Sequence, residues 1–382
     1  MITVVEGLSE IDRAEWDSVA NPVDQAFDPF LSWDFLQALE ETGCVSDRTG
    51  WSPRHLLIHN DAGSLVGAAP LYLKTHSQGE YIFDHSWADA LERAGGRYYP
   101  KLLCAVPFTP VPGRRLLTAN GPQADAIRSA LAAGLAQIAE RNQISGAHIN
   151  FLTEAEQGVL TESGWLPRLD VQFHFTNTGY GSFADFLAEL SSDKRKNLRK
   201  ERAKAQEGVE IVRLSSDQLT EEHWDAFFAC YIDTGSRKWG RPYLNRAFFR
   251  LIHERMDDKV VLILAREPGG PWIAAALNFI GSEAIYGRHW GRLEDRPFLH
   301  FELCYYQAVD EAIARGLPRV EAGAQGGHKL ARGYGPVTTR SSHYLVDEGF
   351  RSAVARYLKQ ERNAVERQAA ELEGYTPFKK EG

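Results

Sequence analysis

The sequence is poor in the features that mark a chain for export, oxidation or membrane insertion. Its four cysteines, Cys44, Cys104, Cys230 and Cys304, lie far apart with no Cys-x-x-Cys pair. That argues against a zinc ribbon or a disulfide framework and fits a reducing cytoplasm. No apolar run is long enough to cross a bilayer, and the start, Met1-Ile-Thr-Val-Val-Glu-Gly, lacks a basic region followed by an apolar one. Neither secretion nor a membrane span is expected. Positive charge is in the minority, Lys+Arg 43 against Asp+Glu 51 for a net charge of -8. Nucleic acid or anionic lipid would therefore need a local basic patch to bind. What remains is an ordinary soluble composition, 43% hydrophobic and 25% charged, in 382 residues, a length comfortable for two domains. Aromatic residues reach 11%, with nine Trp and only two Met.

The two halves of the chain match each other. Arg54-His-Leu-Leu-Ile-His-Asn, a turn at Asp61-Ala-Gly-Ser, and Leu65 to Leu73 read as a β-hairpin. Lys259 to Arg266, a turn at Glu267-Pro-Gly-Gly, and Trp272 to Ile280 repeat it, with Val66 corresponding to Ile273. Each hairpin is followed by an amphipathic helix and a strand: Ala130 to Arg141 then Ala147 to Leu152, and Phe301 to Arg315 then Arg319 to Ala324. Two helical segments precede each hairpin, Ile11 to Val19 with Leu31 to Thr42, and Leu219 to Thr234 with Asn245 to Met256. Ile138 corresponds to Ile313, so the first copy carries about thirty extra residues, an insert between roughly 74 and 115. The reading is an α/β (α+β) chain with domains at 1–177 and 178–347, and a C-terminal helix and tail at 348–382.

This order of elements resembles the tandem GNAT-like fold of FemAB-type N-acyltransferases, the family that includes the Fem aminoacyl ligases. Three stretches carry the likeness: the basic segment Leu190-Ser-Ser-Asp-Lys-Arg-Lys-Asn-Leu-Arg-Lys-Glu-Arg; Tyr286-Gly-Arg-His-Trp-Gly with Leu299-His-Phe-Glu-Leu-Cys-Tyr-Tyr; and Glu321-Ala-Gly-Ala-Gln-Gly-Gly-His-Lys-Leu-Ala-Arg-Gly-Tyr-Gly. The resemblance implies transfer of an acyl or aminoacyl group from acyl-CoA or aminoacyl-tRNA to an amine, by direct attack and with no permanently bound cofactor. It implies a donor held by the second domain and an acceptor, a small molecule or a peptide-like amine, shaped by the first-domain insert. The long helical arm of some Fem ligases is not evident here, so both donors stay open. A binding or recognition protein on the same scaffold is the rival reading, and a nucleic-acid-binding module a third.

Candidate site residues follow from chemistry. On strand 283 to 291, alternation puts Tyr286, Arg288 and Trp290 on one face, a wall for a polar or anionic ligand or a sheet face covered by a helix. Asn278 shares a face with Ala274 and Ala276, small side chains that admit a substrate chain or a close helix. Proton transfer points to Glu321, Glu302 and His300, with Gln325 on the strand face of Glu321, while Glu302 in the first turn of a helix also reads as a carboxylate stabilising the helix N-terminus. GNAT-like folds take their oxyanion donors from backbone N–H groups where two strands splay, so no side chain need reveal them. His328, Lys329 and Arg332 follow a glycine-rich loop suited to a phosphate or carboxylate, or to a simple crossover. In the insert, Lys74, His76, Glu80, Tyr81, Asp84, Tyr98, Tyr99 and Lys101 read as a substrate-orienting network or an aromatic-packed cover, and no metal site is expected. Lys194 to Lys204 is a basic helix that would meet the phosphates of transfer RNA, CoA or a nucleotide-linked sugar, or simply a solvated face.

Overall fold

The computed structural model describes residues 1–238, 242–323 and 326–379. Cα packing divides the chain into two units, Met1–Val171 with Thr338–Gln368, and Gln172–Val337 with the residues after Gln368. The chain passes from one unit to the other inside regular strands and a helix, which is why composition marks no linker there. No helix among the described residues is long and apolar enough to cross a membrane.

The first unit holds β1 (Ile2–Val5), β2 (Trp51–Pro53), β3 (His55–His59), β4 (Leu65–Ala69), β5 (Leu71–Lys74), β6 (Lys101–Cys104) and β7 (Gly146–Leu152). β1, β3 and β4 form a small antiparallel sheet, and β2, β5, β6 and β7 follow one another in a second, with strand Tyr334–Leu345 beside β7. In the expected hairpin, Asn60 Oδ1 accepts from the N–H groups of Ala62 and Ser64, and Gly63 takes φ 83°, a turn chemistry that favours Asn and Gly. Pro70, which has no N–H to give a ladder, separates β4 from β5. One extended run thereby serves two sheets.

Helices α1 (Arg13–Ala20), α2 (Trp33–Glu41), α3 (His85–Arg93), α4 (Ala124–Arg141) and α5 (Glu154–Glu162) complete this unit together with Glu348–Gln368. Asp12 and Ser32 cap α1 and α2, accepting from N–H groups of their first turns. Leu56, Leu71, Leu102, Leu131, Leu135, Ile149 and Trp165 form the core. Residues 74–115 are not one loop: α3 lies among them, and β6 pairs antiparallel with β5 and parallel with β7. The extra residues of the first copy thus fall on both sides of a core strand.

In the second unit the strands run β8 (Leu166–Thr176), β13 (Arg319–Glu321), β12 (Ala284–Arg292), β11 (Trp272–Ile280), β10 (Val260–Arg266) and β9 (Glu210–Leu214) across the sheet. β12 and β13 are parallel; the other neighbours are antiparallel. Helices α6 (Phe183–Glu189), α7 (Ser192–Gln206), α8 (Glu221–Lys238) and α9 (Arg246–Met256) precede the hairpin β10–β11. After β12 come α10 (Leu299–Phe301), a π-helical turn Glu302–Tyr306, and α11 (Gln307–Ala314). β14 (Tyr334–Leu345) and α12 (Glu348–Glu373) lead out of the unit.

Buried histidines give the fold a built-in acid limit. His148, His174 and His289 are held down at about 3, chiefly by burial and further by neighbouring cations, and His343 is depressed in the same way. The unfolded chain binds their protons from about pH 6.5 downward while the folded chain does not. Stability is expected to be complete above that pH and to fall steeply as pH drops from 6.5 toward 3. Denaturant midpoints followed by circular dichroism check this, and a flat profile between pH 6.5 and 4 would contradict it.

Candidate functional site

β12 and β13 are paired only over Ala284↔Arg319, Ile285↔Val320 and Tyr286↔Glu321. β13 ends there while β12 continues to Arg292, so the two strands part beyond Tyr286. At the same place β12 carries a bulge. Its register with β11 passes from Phe279↔Tyr286 and Asn278↔Gly287 directly to Leu277↔His289 and Ala276↔Trp290. Such a bulge bends a strand and re-aims its side chains. A cavity of about 250 Å³ opens at the parting, lined by Asn278, Gly287, Arg288, Trp290, His300, Cys304, Tyr305, Gly323 and His328 among others.

The helix after β12 supplies the opposite wall. Its π turn, Glu302–Tyr306, carries Cys304 and Tyr305 into the lining, a distortion found often at functional sites. Tyr305 Oη and His328 Nε2 are hydrogen-bonded at 2.9 Å. The His300 ring centroid lies 5.1 Å from that of Trp290 and 5.5 Å from that of Tyr305. Burial lowers the His328 pKa, and Arg332 and Lys329 lower it further, so the ring is neutral at pH 7. The site thus combines strand backbone at a parting, aromatic walls and a neutral imidazole.

Several expected residues lie elsewhere. The bulge separates Tyr286 from Trp290: Tyr286 faces with Phe279 and Glu321, while Trp290 faces with Ala276 and, across from Gly287, Asn278. Simple alternation fails because three residues of β12 span what two residues of β11 cover. Glu321 is directed with Tyr286 to the other sheet face, near His174 at 3.7 Å and Arg319 at 3.5 Å, and it is not part of the cavity lining. Glu302 is fully buried and accepts from Arg202 Nε at 3.2 Å, Gln206 Nε2 at 2.8 Å and Gln307 Nε2 at 2.7 Å. It ties α7 to the π turn. Lys329 is buried, donates to Gly323 O at 2.7 Å, and is pushed down to about 8 by burial, with Cys304 opposing. Arg332 spends its fork on Glu201 at 2.9 and 2.8 Å and lies 3.5 Å over Phe301. Both cations fasten the turn Gly327–Arg332 instead of facing the cavity. Gln325 lies outside the described residues. On α7, Lys194, Lys196, Arg199, Lys200 and Lys204 are exposed, while Leu198 and Ala205 bury the other face.

The first-unit candidates do come together, as a closed knot. Lys101 Nζ donates to Ser77 Oγ at 2.8 Å, Glu80 at 2.7 Å and Asp84 at 2.5 Å, and Tyr98 Oη donates to Asp84 at 2.7 Å. Ser77 also bonds Tyr99 Oη at 2.7 Å, and His76 Nε2 lies 2.8 Å from Thr49 O. Lys74 Nζ sits 3.7 Å over the Trp51 ring and 3.8 Å from Glu80. Lys74, Lys101 and Tyr98 are fully buried, and Tyr81 is half-buried. Burial pushes Glu80 up to about 7 against the pull of Lys101, and pushes Lys74 down to about 7. Burial alone would raise Asp84 too, but Lys101 holds its carboxyl well below the usual range. The knot fixes residues 75–100 to β5 and β6.

Sequence reasoning missed Cys304, Tyr305 and the backbone of Gly287 as cavity residues. Only glycines at 287 and 291 in an otherwise bulky strand hinted at an irregular ladder.

The fold is shared with several solved structures. FemX superposes with a TM-score of 0.56 at 14% identity, over 90% of this chain and 98% of FemX. The C-terminal domain of a putative lysylphosphatidylglycerol synthetase from Agrobacterium fabrum gives 0.53 at 8%, over 92% and 96%. A conserved protein of unknown function from Bacteroides thetaiotaomicron gives 0.52 at 11%, over 91% and 100%. At these identities the likeness establishes a shared mixed α/β fold. No curated protein matches the chain. Residues 7–380 match the FemAB-like family, described as peptidoglycan biosynthesis/recognition, and the chain belongs to that family. Membership points to transferase chemistry.

Proposed function

We propose that this protein is an N-acyltransferase that moves an acyl or aminoacyl group from acyl-CoA or aminoacyl-tRNA to an amine at the cavity where β12 and β13 part. The observation that carries the reading is the parting itself: two parallel strands separate beside a bulge, and backbone lines the opening. The amine lone pair forms the new C–N bond while the carbonyl oxygen takes up negative charge. The reading assigns that oxyanion to backbone N–H groups around Gly287–His289, a contact that strengthens as charge develops. The C–S or C–O bond to the donor then breaks. The thiol or hydroxyl leaves with the proton that the amine nitrogen sheds, relayed by His328, whose lowered basicity keeps it available as a base at pH 7.

The family's description supports a cell-wall precursor as acceptor. The exposed cations of α7, Lys194, Lys196, Arg199 and Lys200, suit the phosphates of either donor. The test is mass spectrometry for new amide after mixing purified protein with acyl-CoAs or charged tRNA and amines. His328→Ala is expected to lower kcat about 10²- to 10³-fold with an unchanged melting temperature. Full activity in that variant would remove His328 from the mechanism, and no amide from any donor would sink the whole reading.

A further inference from the structure

Asn278 is 1% exposed, yet its amide is only half committed. Nδ2 donates to Val261 O at 3.4 Å. That bond turns Oδ1 the other way, and Oδ1 has no hydrogen-bond partner among the described residues. Asn278 lines the cavity, and a Cβ built on Gly287 across the ladder would stand 3.4 Å from Oδ1. Oδ1 therefore looks into the open space over the bulge. A buried carbonyl oxygen left without a donor is costly, and a ligand N–H would satisfy it.

The charge around this oxygen narrows what brings that N–H. Among the described residues, no Asp or Glu lines the cavity. The titratable and charged groups facing it are Arg288 and His289 of β12, His300, Cys304 and Tyr305 of the helix, and His328. Lys329 is hydrogen-bonded to the lining residue Gly323, and β10 contributes the Val261 carbonyl. An ammonium ion would lose its water and find amide, imidazole, phenol and ring partners, but no carboxylate to balance its charge and the Arg288 cation in the same lining.

We propose that Asn278 Oδ1 receives an N–H of the acceptor amine and that the cavity takes this amine uncharged. The acceptor class is then a weakly basic amine, such as a peptide α-amine, in preference to an alkylammonium such as a lysine side chain. The word acceptor rests on the acyl-transfer reading; the binding preference stands without it.

The test measures binding of glycinamide and n-butylamine at pH 7 and 9 by ligand-observed NMR, with acetamide as control for the amide group. At pH 7 roughly 10% of an α-amine is neutral against about 0.04% of an amine as basic as lysine. Glycinamide is therefore expected to bind about 200-fold more tightly per total amine, with the gap narrowing roughly tenfold at pH 9. Titration of Lys329 between these values acts on both probes and drops out of the ratio. Asn278→Leu should weaken glycinamide at least about tenfold, the worth of a lost hydrogen bond in a buried site. Asn278→Asp, nearly the same shape but anionic, should reverse the preference. Equal binding of the two amines at pH 7, no binding of either, or an Asn278→Asp ratio like that of the parent protein would overturn the assignment. If the preference holds and no amide ever forms, the acyl-transfer reading fails and the assignment of Asn278 survives.

Discussion

Lys101→Met is expected to destabilise the first unit by about 3–5 kcal/mol, the range for removing one partner of a buried ion pair. Lys101 has no solvent exposure, and three acceptors converge on its ammonium: Ser77, Glu80 and Asp84. Methionine fills the same space but leaves Asp84, which Lys101 holds in its ionised form, as a buried charge with the hydroxyls of Tyr98 and Ser77 beside it. Lys74→Met should cost clearly less, because Lys74 is already pushed down to about 7 and its polar contacts are long, 3.3 Å to Gln78 O and 3.8 Å to Glu80. Urea unfolding of the two variants side by side decides the point. A Lys101→Met protein within 1 kcal/mol of its parent would mean that the knot contributes shape and not charge pairing.

Gly291→Ala is expected to be the most damaging single-methyl change in the second unit. A Cβ at this position would lie 2.1 Å from Cys230 O, 2.2 Å from Cys230 C and 2.6 Å from Tyr231 N. These are backbone atoms of α8, so no side-chain rotation relieves the clash, and the helix or β12 must move. Overpacking of this kind sits at or beyond the upper end of its usual 1–3 kcal/mol cost. Because β12 also carries the bulge at Gly287–His289, any activity should fall together with stability. Gly335→Ala is the control, since nothing lies within 4 Å of its Cβ position. Equal melting temperatures for the two variants would show that α8 yields freely.

Periodicity and turn chemistry made the elements legible in the sequence: the helices at 13–20, 33–41, 221–238 and 246–256 and both hairpins lie where the spacing of apolar residues puts them. The faces of β12 were not legible. One extra residue reverses every side chain beyond it, and the slip between Leu277 and Asn278 depends on how two strands settle against each other. Glu321 lies off the cavity for a related reason, since a carboxylate at a strand end looks the same whichever face its register selects. Lys329 and Arg332 followed a glycine-rich loop and so read as anion ligands, but their partners, Gly323 and Glu201, are set by packing distant in sequence. Asn278, Trp290, His300 and His328, each singled out on a different ground, line one cavity.

The discontinuity of the first unit bears on how the protein can be cut. All seven residues of β7 are buried, and its partner on one side, Arg340–Leu345, arrives only after Gln172–Val337 of the second unit has been traversed. A fragment ending at residue 177 would keep β7 and lose that partner. Its apolar edge would then present unpaired N–H and C=O groups to any neighbouring chain, the geometry from which sheets grow into aggregates. During synthesis the same edge stays open until Arg340–Leu345 emerges, so the sheet of the first unit closes only after strands β8 to β13 have been made.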